Sequence, residues 1–199
     1  MYIFFFIMMY LASSLSNAFL FTVPPFDENS KLTDTSETEL KHIFQKSKCH
    51  DEGIDFVRFK NLLLNFNFLH KYDEHEIEYL FIEVVGEIYG LMDEKQFLKQ
   101  AIKVIERIEK LIENLYKISL INDKMTITEL KSALLKAKYT IKDERATELI
   151  NIEKTDPQNI SRKAFRNIFA KLYVPCIQNQ QEVTTLKKIF SSYETLDPR

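Results

Sequence analysis

Four segments of the chain share one layout: an apolar residue, a few mostly polar ones, then an apolar residue that opens an amphipathic helix. They read Ile54-Asp55-Phe56-Val57-Arg58-Phe59, Met92-Asp93-Glu94-Lys95-Gln96-Phe97, Met125-Thr126-Ile127-Thr128-Glu129-Leu130 and Ile160-Ser161-Arg162-Lys163-Ala164-Phe165. Their first residues lie 38, 33 and 35 positions apart. Three and four positions past each closing residue come Leu62/Leu63, Gln100/Ala101, Ala133/Leu134 and Ile168/Phe169. Apolar residues at i, i+3 and i+4 mark a helix buried on one face, with Gln100 the weakest match. Each segment also follows an amphipathic stretch, ending near Phe44, Phe81, Leu115 and Leu149. A period of this length means repeated helix-loop-helix units, each burying its apolar face against a neighbour.

Composition narrows the function. The only glycines among the 199 residues are Gly53, Gly86 and Gly90. Gly-rich phosphate cradles and tightly turned all-β folds are therefore disfavoured. A net charge of −2 offers no overall field for nucleic acid or an anionic membrane. His42, His50, His70 and His75 lack the i, i+4 spacing of helical zinc sites, and no nucleophile elbow, His-Glu-x-x-His or Walker loop occurs. A non-catalytic protein is expected.

The fourfold layout resembles the EF-hand superfamily, specifically four-hand proteins such as calmodulin, troponin C and the myosin light chains, over roughly Ser36 to Tyr173. The resemblance implies an all-α fold: four helix-loop-helix units in two pairs, with an extra C-terminal helix. In that motif the eighth loop residue is aliphatic and pairs with the neighbouring hand; Ile54, Met92, Met125 and Ile160 match it. Phe59, Phe97, Leu130 and Phe165 match the apolar thirteenth place. Calcium takes about six to eight oxygens, from the first, third, fifth and seventh places and a bidentate Glu at the twelfth. Here those ligands are largely gone. The first loop has Ser47, Cys49 and Asp51, with Arg58 at the twelfth place; the second has Val85, Glu87 and Tyr89, with Gln96. The third has Ile118, Leu120 and Asn122 with Glu129 retained; the fourth has Glu153, Thr155 and Pro157 with Ala164. If loops one and three are a residue shorter, Lys48 or Ser119 comes first, and neither is acidic. The nearest approaches to a metal site are Asn122, Thr126 and Glu129, or Glu153, Thr155 and Ser161. No resident cofactor is expected, with low-affinity calcium binding as the alternative.

The remaining features concern export and the two ends. Residues 1–18 read as a signal peptide: Tyr2 to Ala12 is an apolar run, and Ser16 and Ala18 precede a cut before Phe19. The run is shorter than the roughly 20 residues a bilayer span needs, so no stable membrane insertion is expected after cleavage. Cys49 and Cys176 form one disulfide or remain two thiols, and Asn159-Ile160-Ser161 is a glycosylation acceptor. The expected divisions are an extended segment over 19–35, paired units over 36–100 and 101–174, and a tail over 175–199. Ser36 followed by Glu39 predicts the capping box of the first helix. Asp93 to Lys117, without Pro or Gly, predicts one long helix, or two with a bend. In the tail, Val183, Leu186, Ile189, Phe190 and Tyr193 pattern a helix that either completes the core or covers a groove. The expected partner is a protein or amphipathic helical peptide, gripped by a secreted protein without strong calcium dependence.

Overall fold

The computed structural model describes residues 19–49, 52–64, 67–137 and 139–173. The expected signal peptide, Cys176 and the patterned tail lie outside the described residues. Among those described, the chain is helical, with isolated backbone bridges in place of strands. The helices are α1 (Asp34–Ser47), α2 (Phe56–Leu64), the short α3 (Asn67–His70), α4 (Glu74–Val85), α5 (Glu94–Lys117), α6 (Ile127–Lys136) and α7 (Asp143–Ile152). A further helix, α8, covers 162–173.

Local chemistry sets most of these boundaries. Asp73 with Glu76, Asp93 with Gln96 and Thr126 with Glu129 form capping boxes that open α4, α5 and α6. The box expected at Ser36 and Glu39 is not used. Thr33 caps α1 instead, its hydroxyl oxygen accepting from the Ser36 amide at 3.3 Å, and Ser36 is buried inside the first turn. Asp34 adds a carboxylate at the positive helix end, which favours the earlier start. The leading helices end at Ser47, Val85, Lys117 and Ile152, past the last apolar residue of each pattern. Gly86 stops α4 with φ of 91°, the left-handed cap that glycine adopts without a Cβ penalty.

The four opening apolar residues meet in two pairs. Ile54 and Met92 exchange both backbone hydrogen bonds at 2.9 Å, and the Ile160 amide donates to the Met125 carbonyl at 2.7 Å. All four side chains are fully buried. Gly53 is needed beside the first pair, because a Cβ there would stand 2.6 Å from the Met92 carbonyl oxygen.

Helix α5 is one unbroken helix of 24 residues and serves both halves of the molecule. Phe97, Ala101, Val104, Ile105, Ile108 and Ile112 form its buried face. The helix meets α1, α3, α4 and α6, and Glu109 and Glu113 bind Arg166 and Arg162 of α8. The expected division between residues 100 and 101 therefore falls inside a helix. Gln100 is fully buried on the same face, its amide donating to Glu83 at 3.1 Å, which explains the weak apolar match there.

The segment before α1 is docked rather than loose. Phe19, Leu20 and Phe21 are almost wholly buried, and the Phe19 ring lies 6.4 Å from Phe97. The chain then reaches Phe26, which bridges to Leu32 around a turn braced by Asp27, and enters α1. We call residues 19–33 the strap.

The connection between α2 and α4 holds a buried histidine. The His70 Nδ1 accepts from the Tyr72 amide at 2.9 Å, so Nε2 carries the proton and donates to the Leu63 carbonyl at 2.8 Å. Burial pushes its pKa down, with Arg107 adding to the effect and the Leu63 bond and Glu76 opposing it. A histidine with a depressed folded pKa takes up its proton more readily when unfolded. Its contribution is thus complete above the ordinary range near pH 6.5 and is lost as pH falls below it. Melting temperature is expected to drop between pH 7 and pH 5, with a smaller drop in His70→Gln. Equal drops in both chains would remove His70 as the cause.

Candidate functional site

In each of the four repeat loops a side chain from the helix that leaves the loop bonds back into it. In the first loop the Cys49 amide donates to Gly53 at 2.6 Å, forming a tight turn. Arg58, on the first turn of α2, donates to Asp55 Oδ2 at 2.5 Å and also to Cys49 Sγ. The Cys49 thiol donates to the same carboxylate at 3.0 Å, and this bond holds its pKa up, disfavouring thiolate. In the second loop Gln96 spans both ends: Oε1 accepts from the Asp93 amide at 2.9 Å and Nε2 donates to the Val84 carbonyl at 2.7 Å.

The third loop folds on itself. Ile121 and Lys124 exchange backbone bonds at 3.0 and 3.1 Å around Asn122 and Asp123, whose φ values are 51° and 59°. Two consecutive positive φ values make this a two-residue hairpin turn of the mirror-image type. Lys136 closes the loop from α6, reaching the Ile118 carbonyl at 3.3 Å and the Ser119 hydroxyl at 3.2 Å. In the fourth loop Glu153 accepts from Asn167 at 2.8 Å and Lys171 at 2.5 Å, both on α8. Burial opposes ionisation of this carboxyl, but the two hydrogen bonds outweigh it and hold its pKa low.

The six candidate metal ligands therefore have other partners or positions. Asn122 forms the third hairpin's tip. Glu129 turns back into the α6 capping box, accepting from the Thr126 amide at 3.0 Å and from its hydroxyl, and the hydroxyl bond leads in holding its pKa low. The sequence signal for this use was present, since Thr-x-x-Glu is itself a capping pattern. Glu153 is committed to Lys171. Thr155 accepts from the Ser161 amide at 3.3 Å, while Ser161 accepts from the Ala164 amide at 3.2 Å. Among the described residues no group of three or more His, Cys, Asp and Glu side chains is placed to hold a metal ion. Asn159 lies exposed in a turn, its amide donating to the Asp156 carbonyl at 3.0 Å.

A cleft of about 760 Å³ opens between the strap, α5 and α8. Pro24, Pro25 and Phe26 form one wall, and Ile112 and Phe165 add apolar surface. Two ion pairs stand in its walls: Glu109 takes Nε and Nη2 of Arg166 at 2.7 to 3.1 Å, and Glu113 takes Arg162 at 2.7 Å. Nη1 of Arg166 is buried without a partner among the described residues. Arg162 and Phe165 belong to the fourth repeated segment, but Glu109, Glu113 and Arg166 carried no signal in the repeat, because the cleft brings together segments far apart in the chain. In comparison with known proteins, the chain matches no family model, no curated protein and no solved structure.

Proposed function

We propose that the chain is a secreted, non-catalytic binding protein on an EF-hand-like scaffold, taking a protein or peptide partner without calcium. The scaffold reading is supported by the pairing of Ile54 with Met92 and of Met125 with Ile160, the residues at the four eighth places. The observation that carries calcium independence is the occupation of the loops by the chain's own donors, with Arg58 bound to Asp55 and Lys171 bound to Glu153. A divalent ion entering the first or fourth loop meets a fixed cation and must displace it. The alternative, low-affinity calcium binding through Glu129 or Glu153, requires opening a capping box or that ion pair.

The test is a thermal melt of protein recovered from culture medium, with about 0.1 mM calcium or with chelator. An ion present at 100 times its Kd would add about 2.7 kcal/mol, or roughly 5–10 °C for a domain of this size. No shift is expected. A rise of that order, abolished by Glu129→Gln, overturns the calcium-independent reading, and absence of the protein from the medium overturns its export.

A further inference from the structure

We propose that the connection between α2 and α4 is a proton-operated latch: one proton taken up by the His70 ring releases residues 69–72 from α5 while the rest of the fold stays closed. The inference stands apart from calcium and from the identity of any partner. Both ring nitrogens are committed inside the structure. Nε2 donates to the Leu63 carbonyl at 2.8 Å, and Nδ1 accepts from the Tyr72 amide at 2.9 Å. An added proton goes to Nδ1, where it faces the Tyr72 N–H, donor against donor. The residue is 1% exposed, so water replaces the lost partner only if the segment opens.

Breaking that one bond loosens a linked set of contacts. Lys71, between the two bonded residues, is held at φ of 55°, a left-handed conformation that is costly for a residue with a Cβ. Arg107 of α5 donates to the Lys71 carbonyl at 3.3 Å and lies over the Tyr72 ring, 4.0 Å from its centre. The Tyr72 ring in turn stands 5.1 Å from that of His70. The charged groups acting on His70 are Arg107 from α5 and Glu76 from α4, while α2 presents the neutral Leu63 carbonyl. Glu76 is already bound to Arg107 at 2.8 Å and to the Asp73 amide at 3.0 Å. A charged ring thus meets Arg107, whose charge Glu76 already balances. Burial, the largest influence on the ring, opposes its charged form as well.

Opening stays local because the flanking helices are joined independently of the latch. Phe56 and Phe59 of α2 hold the Phe81 ring of α4 at 5.5 and 5.8 Å, and Lys60 of α2 pairs with Glu74 of α4 at 2.9 Å. The capping box of Asp73 and Glu76 keeps the start of α4 in place. Helix α3, with four residues, is too short to persist alone and depends on its packing against α5. Its release bares Leu69, 2% exposed when closed, and the stretch of α5 beneath it. Acid therefore presents an apolar surface that neutral pH hides.

A falling melting temperature does not locate the opening, so the experiment is amide hydrogen exchange of the full chain at pH 7.5 and pH 5.5. Each rate is divided by the intrinsic rate at that pH. A free histidine titrates near 6.5, so the open population should grow by about threefold or more between those conditions. Residues 69–72 are expected to show that rise, and α6 none. His70→Gln keeps a donor for Leu63, His70→Asn keeps an acceptor for Tyr72, and neither takes up a proton; both should flatten the response. His75 is exposed on α4, and His75→Gln should leave the rise in place. No rise in the unsubstituted chain, an equal rise in the His70 variants, or loss of the rise with His75→Gln overturns the proposal. An equal rise in α6 also overturns it, as the mark of global unfolding. Should both His70 variants fail to fold, the ring resonances of the unsubstituted chain decide. Titration of His70 below about 6.5 supports the latch, and titration at or above that value overturns it.

Discussion

Phe97→Ala is expected to lower stability by about 3–5 kcal/mol, the range for removing a large aromatic side chain from a packed core. The ring is fully buried in the first turn of α5 and lies 5.8 Å from Phe44 and 6.4 Å from Phe19. It joins α1, α5 and the strap, so neighbours tied to three elements cannot all relax into the space left. Urea unfolding should show a lower midpoint with an unchanged slope, since the surface exposed on unfolding stays nearly the same. Val57, which is 64% exposed, gives the contrast: Val57→Ala should change stability by less than about 0.5 kcal/mol. A loss below about 1 kcal/mol for Phe97→Ala would mean that this junction is not packed as described. The same substitution removes the ring against which Phe19 packs.

Glu109→Leu should cost about 3 kcal/mol, the lower end for breaking a buried ion pair, because the site borders the cleft. The Arg166 side chain is only 8% exposed, and Glu109 satisfies both Nε and Nη2. Without Glu109 the guanidinium keeps its charge in a poorly hydrated place. Removing both partners, as Glu109→Leu with Arg166→Leu, should recover much of the loss, since neither charge then needs a partner. Arg162 with Glu113 is the exposed comparison. Arg162 is 66% exposed, and removing that pair should cost less than about 1 kcal/mol and depend on salt. A double-mutant cycle measures the coupling directly. A Glu109→Leu chain as stable as the unsubstituted one would show that α8 is not held against α5 by this pair.

The signals that could be read along the chain are those whose partners lie within one or two helical turns. The repeated apolar spacing anticipated the α helices on both sides of each loop. The absence of Pro and Gly anticipated α5 as one helix. Capping residues were legible in kind but not always in position. Thr33 and Ser36 are both competent caps, and the choice of Thr33 follows from the buried place that Ser36 occupies in the first turn. Glu129 shows the same limit: its four-residue pattern suits a metal loop or a helix cap equally well, and its bonds to Thr126 use it as a cap.

What the sequence could not supply are partners chosen by packing. Glu109 and Arg166 are 57 residues apart, and nothing local distinguishes them from the other charges on their helices. Lys171 reads as an ordinary surface lysine until α8 lies against Glu153. Phe19, Leu20 and Phe21 follow an apolar run and carry no helical or alternating pattern of their own, so nothing local in the sequence states where they are buried, and the packed structure supplies it, with Phe19 against Phe97. Hydrophobic patterning states that a residue must leave water, while the close fit of a folded interior determines which surface receives it.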